Sequence, residues 1–117
     1  MEDNCLFCKI IKKEVSADIV YEDDYVIAFK DLYPVAAIHI LVIPKIHIES
    51  INEINEENAK YISNIFLVIK KIAKELKINE TGYRVISNCG KDGGQIINHL
   101  HYHLLGGQEL GPKIVCK

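Results

Sequence analysis

Three histidines alternate with apolar residues near the C-terminal end of this chain, in the stretch HLHYHLL from His99 to Leu105. Residues two apart point to nearly opposite sides of a helix but to the same face of a strand, roughly 6.5 Å apart. The apolar residues between the histidines would then cover the other face. Paired glycines stand on both sides of the stretch, where they punctuate elements. The pattern therefore predicts a strand with a row of imidazoles on one face and core on the other.

The other segments predict a mainly antiparallel α+β fold, as a single domain over residues 1–117. Residues 5–13 read as a short helix, and Pro44 ends a run that is apolar enough to be a central strand buried on both faces. Asp23 and Asp24 join two β-rich runs into a hairpin. The predicted strands are Ile19–Glu22, Tyr25–Phe29, Ile38–Ile43, Tyr83–Asn88 and the histidine row.

A long amphipathic helix follows Asn55, which we expect to cap it, with Glu56 and Glu57 in the positive first turn. Leu67 and Val68 lie beside its apolar stripe and widen it. A helix that is apolar over so wide an arc usually covers more than one surface, so we expect a homodimer. The stripe has helical spacing and comprises Ile62, Ile65, Phe66, Ile69, Ile72, Ala73 and Leu76.

Composition excludes several classes of protein. The net charge is −2 and no basic stripe suggests a nucleic-acid partner. The longest apolar runs are too short to span a membrane, and the N-terminal residues do not resemble a secretory signal, so we expect a cytoplasmic protein. Cys5, Cys8, Cys89 and Cys116 are accordingly expected to be reduced thiols or metal ligands rather than disulfides.

The pair Cys5-x-x-Cys8 has the short spacing of a zinc knuckle. His47 and one histidine of the row could complete a Cys2His2 set. Two other interpretations stay open, since the cysteines could be small apolar residues on a buried helix face or a redox pair. A redox pair normally opens a helix in a βαβ unit, which this sequence lacks, and we favour metal.

A histidine row can also serve nucleophilic catalysis. A neutral imidazole can attack phosphorus or an acyl carbon when an acceptor fixes its tautomer. A neighbouring histidine can then donate a proton to a phosphate oxygen or a leaving group. Gly93-Gly94-Gln95, just before the row, could bring backbone N–H groups close to an anion.

The motif HxHxH with apolar spacers, preceded by GGQ and followed by LLGG, resembles the histidine triad (HIT) family. It is most similar to the Hint branch of nucleoside phosphoramidases, and the resemblance runs from about Cys5 to Gly107. It includes Cys5-Leu-Phe-Cys-Lys-Ile-Ile, Val20-Tyr-Glu-Asp-Asp24, Ala28-Phe-Lys-Asp31, His39-Ile-Leu-Val-Ile-Pro-Lys45 and Gly82-Tyr-Arg-Val-Ile-Ser-Asn88.

The resemblance implies a HIT-like fold and hydrolysis of purine nucleoside 5′-phosphoramidates. His101 would be the nucleophile, the carbonyl of His99 would hold its other N–H, and His103 would contact the phosphate or leaving group. His39 would extend the histidine network. Asp31 would bind the ribose, and the other nucleotide-binding residues would be Asn88, Gln95, Phe7, Ile10, Phe29, Leu32, Ile96 and Ile97. A structural Zn²⁺ would be held by Cys5, Cys8, His47 and His99.

One departure keeps alternatives open, because Ile96 stands where Hint-type proteins often have a serine that reaches a phosphate oxygen. A nucleotide-binding module with little turnover is therefore a second hypothesis. A third is another HIT chemistry, the hydrolysis of dinucleoside polyphosphates or nucleotidyl transfer. A fourth, a zinc-binding structural domain without catalysis, leaves His101 and His103 without a role.

Overall fold

A computed structural model of the chain describes residues 4–112. This part contains a short helix α1 and a long helix α2, which flank opposite faces of one five-stranded antiparallel sheet. The predicted α+β class is confirmed. The elements are α1 (Leu6–Ile11), β1 (Ile19–Glu22), β2 (Val26–Lys30), β3 (Ile38–Pro44), α2 (Ala59–Glu75), β4 (Tyr83–Ile86) and β5 (Tyr102–Gly106), with a 3-10 turn at Ile51–Glu53.

The strand order is β1-β2-β3-β5-β4, which places β3 at the centre and β5 beside it. The register pairs Leu41 of β3 with His103 of β5, and His39 with Leu105. His39 and His103 therefore lie on neighbouring strands, two positions apart in the register, on the same face of the sheet.

Helix α2 packs on the other face, because alternate strand residues point to it. Val42 is fully buried there, as the prediction of a doubly buried central strand requires. The first face is covered in part by α1, whose Phe7 and Ile10 pack on Phe29 and Leu41. Helix α2 thus covers one face of the sheet, and the opposite face, which carries the histidines, is covered by α1 and the loops.

The histidine row is only partly in a strand, which corrects the prediction for His99–Leu105. Strand β5 begins at Tyr102. The ladder between β3 and β5 stops there because β3 ends at Pro44, which has no N–H to donate. Instead, the Leu100 N–H bonds to the Ile48 carbonyl at 2.6 Å. His99 and His101 are therefore held in a loop that enters the strand.

Helix α2 begins four residues after Asn55 rather than directly at it. The Asn55 side chain accepts N–H bonds from Glu57 and Asn58, so it caps a turn that precedes the helix. The buried arc also differs from the predicted stripe, since Val68 is buried while Phe66 is 49% and Leu76 42% exposed.

No helix among residues 4–112 is long and apolar enough to cross a membrane. Cys5, Cys8 and Cys89 form no disulfide with one another. The prediction for Cys116 lies outside the described residues.

Candidate active site and metal centre

The imidazole of His101, in the middle of the row, is oriented by the backbone. Its Nδ1 lies 2.7 Å from the carbonyl oxygen of His99, so Nδ1 carries the proton and donates it. The tautomer leaves a lone pair on Nε2. The side chain is buried, and burial lowers the pKa of His101 below its usual value. A neutral imidazole with a free Nε2 lone pair is the form that a histidine nucleophile needs.

His103 is oriented through a relay that starts at the backbone. The Val35 N–H donates to Nδ1 of His39 at 3.2 Å, which leaves the His39 proton on Nε2. That Nε2 lies 2.9 Å from Nδ1 of His103 and donates to it. Neutral His103 therefore carries its own proton on Nε2. Burial, helped by the nearby imidazoles of His101 and His39, lowers the pKa of His103 to about 4.

Asp31 follows β2 directly and adds a carboxylate to this group. Its Oδ1 accepts the Tyr33 N–H at 2.8 Å, and its Oδ2 lies 3.4 Å from Nε2 of His39. Carboxylate oxygens have about four acceptor sites, so Asp31 keeps capacity for further donors such as a pair of hydroxyls.

A cavity of about 250 Å³ lies between α1 and the start of the loop after β2. Its wall is mainly apolar, with Asp31 at one side. Six of the residues predicted to bind a nucleotide line it together: Phe7, Ile10, Phe29, Asp31, Leu32 and Ile97. Because the Phe7 ring also meets the His101 imidazole, the cavity adjoins the histidine row.

In the loop before the row, the side chains of Asn88 and Gln95, predicted to contact the nucleotide, hydrogen-bond to backbone groups of the protein. The Gln95 amide accepts the Gly90 N–H and donates to the Glu49 and Ile97 carbonyls. Asn88 donates to the Gly93 carbonyl at 2.7 Å. In this structure both side chains therefore shape the loop. Ile96 is 91% exposed and lines a different depression.

Glycine at position 93 is required by the loop backbone. A Cβ at Gly93 would lie 2.4 Å from the Cys89 carbonyl oxygen, so no other residue fits there without movement. The Gly-Gly pair thus forms a tight turn.

Cys5, Cys8, His47 and His99 form one cluster, with ligand atoms all within 4.8 Å of one another. His99 Nδ1 lies 3.4 Å from the Cys5 sulfur and 3.5 Å from the Cys8 sulfur. Ligands of a tetrahedral zinc ion stand about 3.6 Å apart for a sulfur–nitrogen pair, given the usual bond lengths.

The second ring nitrogen of His99 supports the same conclusion. Its Nε2 donates to the Pro44 carbonyl at 3.1 Å, so the Nδ1 lone pair faces the sulfurs. A backbone acceptor on the far nitrogen is the usual support of a metal-bound imidazole. His47 Nδ1 lies 3.3 Å from the Cys8 sulfur. The four residues fit a closed tetrahedral metal centre.

A second cluster, Asp31, His39 and His103, has similar spacing but does not fit a metal as well. A metal on Nε2 of His39 would move that proton to Nδ1, where the Val35 N–H already points. The hydrogen bond from the Val35 N–H therefore favours a hydrogen-bonded cluster over a metal site.

Three residues that contribute to the site were not predicted from the sequence. Val35 acts through its backbone N–H, which no side-chain pattern can reveal. Ser87 donates to the His101 carbonyl at 2.9 Å from the neighbouring strand end. Tyr33 lines the apolar cavity, and its only signal was an aromatic residue within a loop.

Comparisons with known proteins agree with this geometry. Residues 4–113 match the family model described as scavenger mRNA decapping enzyme C-term binding. The purine nucleoside phosphoramidase of Escherichia coli K12 is 44% identical over 117 residues, covering 100% of this chain and 98% of that protein. An uncharacterized HIT-like protein of Buchnera aphidicola is 50% identical over 110 residues, covering 94% of this chain and 96% of that protein.

Solved structures give the same result. A HIT family hydrolase from Clostridium thermocellum superimposes with a TM-score of 0.95 at 53% identity, covering 98% of this chain and 100% of that chain. A histidine triad protein from Clostridium difficile superimposes with a TM-score of 0.93 at 50% identity, covering 97% of this chain and 98% of that chain.

Proposed function

This chain belongs to the histidine triad (HIT) family, and we propose that it is a nucleotide-binding hydrolase that cleaves the P–N bond of purine nucleoside 5′-phosphoramidates. Adenylylated amines or lysine are examples of such substrates. The proposal rests above all on the 2.7 Å bond from His101 Nδ1 to the His99 carbonyl, which prepares Nε2 as a nucleophile. The 44% identical E. coli relative, a purine nucleoside phosphoramidase, supports the substrate class.

In the first step, Nε2 of His101 attacks the α-phosphorus and forms an N–P bond while the substrate's P–N bond breaks. The departing nitrogen takes one proton and leaves as a neutral amine. This proton comes from solvent, and the Nε2–H of His103, oriented by the relay through His39, can hydrogen-bond to the departing nitrogen or to a phosphate oxygen. Because its pKa is lowered to about 4, His103 is neutral at pH 7, so it keeps its own proton and acts on the departing group as a hydrogen-bond donor.

In the second step, water attacks the nucleotidyl-histidine. The N–P bond breaks, the nucleoside monophosphate departs, and the proton lost by water returns to solvent, which balances the proton taken up by the amine in the first step. One water is consumed for each amine and monophosphate released, and His101 returns to its starting tautomer.

The remaining residues bind the nucleotide. Asp31 accepts hydrogen bonds from the ribose hydroxyls through its remaining lone pairs. The base occupies the apolar cavity of about 250 Å³, whose wall includes Phe7, Phe29 and Leu32. Pockets for whole drug-sized ligands are roughly 300–1,000 Å³, so a cavity of this size suits the nucleoside part alone.

A structural Zn²⁺ is part of the proposal. Cys5, Cys8, His47 and His99 would supply four protein ligands, which leaves no open position for substrate. The ion would join α1 to the segment that enters β5, and so stabilise the base cavity and the row together.

We also propose that α2 mediates a homodimer. Leu67 is 64% exposed on that helix, next to the largely exposed Phe66. Size-exclusion chromatography with light scattering should give twice the chain mass for the native protein, and Leu67→Lys should give the monomer mass. A monomeric native protein at micromolar concentration would refute the dimer.

Ile96 favours a second candidate, a nucleotide-binding module with little turnover. An exposed apolar side chain replaces a hydroxyl that could reach a phosphate oxygen. Both candidates use the same nucleotide site, so they are separated only by turnover.

Steady-state hydrolysis of a fluorogenic adenosine 5′-phosphoramidate tests the proposal with native protein, His101→Asn and His101→Ala. The asparagine amide can still donate to the His99 carbonyl, so His101→Asn removes the nucleophile while keeping the local bond. We expect turnover by the native protein only, and a covalent nucleotidyl adduct by mass spectrometry after a rapid acid-free quench. AMP binding without turnover would support the binding module, and equal turnover by all three would refute the role of His101.

A further inference from the structure

The loop between β2 and β3 displays three apolar side chains. Leu32 is 85% exposed, Tyr33 is 84% exposed and Val35 is 72% exposed. Single exposed apolar residues are ordinary, but three within four positions form a patch of the kind that marks binding sites. Leu32 and Tyr33 both line the apolar cavity beside Asp31.

Hydrogen bonds hold the backbone of the loop that carries these side chains. The Tyr33 N–H donates to Asp31 Oδ1 at 2.8 Å, and the Val35 N–H donates to His39 Nδ1 at 3.2 Å. The Ala37 N–H donates to the Gln108 side chain at 2.7 Å. Three alternate N–H groups are therefore bound, and a ligand that meets Tyr33 would need to order little of this backbone.

Tyr33 lies next to both places where the nucleoside is proposed to bind. Its N–H bonds to the carboxylate proposed to hold the ribose, while its side chain lies at the rim of the cavity proposed for the base. A base attached to that ribose would present one face to the inner wall around Phe7 and Phe29. Its outer part would meet the rim, where Tyr33 is the aromatic side chain.

We propose that Tyr33 contacts the purine ring in the bound nucleotide and so sets the affinity of this site for the base. The proposal rests on the proposed function, since it places the base in this cavity. An aromatic side chain on a base face strengthens binding without hydrogen-bond readout, so Tyr33 would act on adenine and guanine alike. Tyr33 is not among the residues that the sequence predicts to bind the nucleotide. The three hydrogen bonds that hold the loop backbone do not use its side chain.

Isothermal titration with AMP, GMP and ribose 5-phosphate tests the contact in the full-length protein. Tyr33→Leu removes the ring and keeps apolar bulk, and Tyr33→Phe keeps the ring. Tyr83→Leu is the matched control, because Tyr83 is also exposed but lies on edge strand β4 and does not line this cavity. Circular dichroism melts verify that each variant folds.

We expect Tyr33→Leu to weaken AMP and GMP binding about tenfold, with Tyr33→Phe and Tyr83→Leu within about twofold of native. Ribose 5-phosphate, which has no base, should bind native and Tyr33→Leu equally. Unchanged affinity of Tyr33→Leu for AMP would overturn the inference. An equal loss for ribose 5-phosphate would also overturn it, because Tyr33 would then act through Asp31.

The two proposals fail separately. Native protein that binds AMP through Tyr33 but hydrolyses no phosphoramidate would refute the hydrolase and support the base contact. Native protein that hydrolyses the substrate, with Kd and KM unchanged in Tyr33→Leu, would support the hydrolase and refute the base contact.

Discussion

The Phe7 ring meets the His101 imidazole edge to face, with ring centroids 5.1 Å apart. Phe7 stands on α1 between Cys5 and Cys8, the two cysteines of the metal cluster, and it also lines the apolar cavity. Its ring also meets the imidazole of His99, a member of that cluster, with centroids 5.8 Å apart. One buried side chain therefore touches three parts of the site. The position of α1 is linked by this contact to the position of the proposed nucleophile.

Replacing Phe7 by leucine tests whether its contact with His101 matters for catalysis apart from base binding. The substitution removes the edge contact with His101 and part of a buried ring, so we expect a stability loss of about 1–2 kcal/mol. We also expect kcat to fall about tenfold or more, because small displacements of a nucleophile are costly.

Phe29→Leu is the matched comparison. Phe29 lines the same cavity and packs on Phe7 at 5.6 Å, so its loss should raise KM while changing kcat little. Steady-state kinetics and thermal melts measure both effects. Equal changes in kcat for the two variants would show that the Phe7–His101 contact is unimportant.

The pH dependence of stability follows from the burial of His103. An unfolded histidine takes up a proton below about pH 6.5, whereas the folded pKa of His103 is lowered to about 4. Between these values the unfolded state binds more protons. The contribution of His103 to stability is therefore complete above about pH 6.5 and is lost as the pH falls toward 4.

His103→Asn tests this directly, because its amide oxygen can still accept the His39 N–H. Melting temperatures of native and variant protein should be compared from pH 7.5 to 4. We expect the native value to fall more steeply than that of the variant below pH 6.5. Acid loss of a bound metal affects both proteins, so a constant difference between them would contradict the burial of a neutral His103.

Several of these features were predictable because they follow from local periodicity. The two-residue period placed His101 and His103 on one side, and the apolar run of β3 identified the central strand. The β5 boundary was not predictable from the same pattern, since it depends on Pro44 and on the bond between Leu100 and Ile48. These partners are distant in sequence.

The tautomers of His39 and His99 were also not predictable from the sequence pattern. The Val35 N–H and the Pro44 carbonyl decide which nitrogens of His39 and His99 are protonated. Every residue carries these backbone groups, so side-chain identity gives no signal for them. The apolar cavity residues came from family resemblance, because Phe7 and Phe29 alone resemble ordinary core residues.

Metal removal should affect stability more than chemistry. The proposed ion has four protein ligands and ties α1 to the segment entering β5, while no step of the reaction uses it. We expect about one zinc per chain by elemental analysis and a clear fall in melting temperature after chelation, with a smaller loss of initial activity.

Cys8→Ser should reproduce the effect of chelation, because a serine hydroxyl is a poor substitute for a thiolate ligand. Cys89→Ser is the control, since Cys89 lies outside the cluster. Freshly purified native protein without zinc would refute the metal centre. A melting temperature equally lowered in both variants would indicate a packing effect instead.

Ile96 provides the most direct test of what this chain lacks relative to the Hint pattern. The side chain is 91% exposed, so Ile96→Ser costs little buried area and should leave the melting temperature within about 1 °C. The resemblance to the Hint pattern implies that a serine at this position hydrogen-bonds to a phosphate oxygen. We expect kcat/KM to rise about fivefold to tenfold, which corresponds to about 1–1.4 kcal/mol of transition-state stabilisation.

Ile96→Ala separates the hydroxyl from the loss of the apolar side chain. If the hydroxyl matters, the alanine variant should have the native kcat/KM, and only the serine variant should gain. Equal gains in both would show that Ile96 obstructs the substrate. No gain in either would show that a serine hydroxyl at this position does not assist the reaction, and the binding-module candidate would lose the observation that favours it.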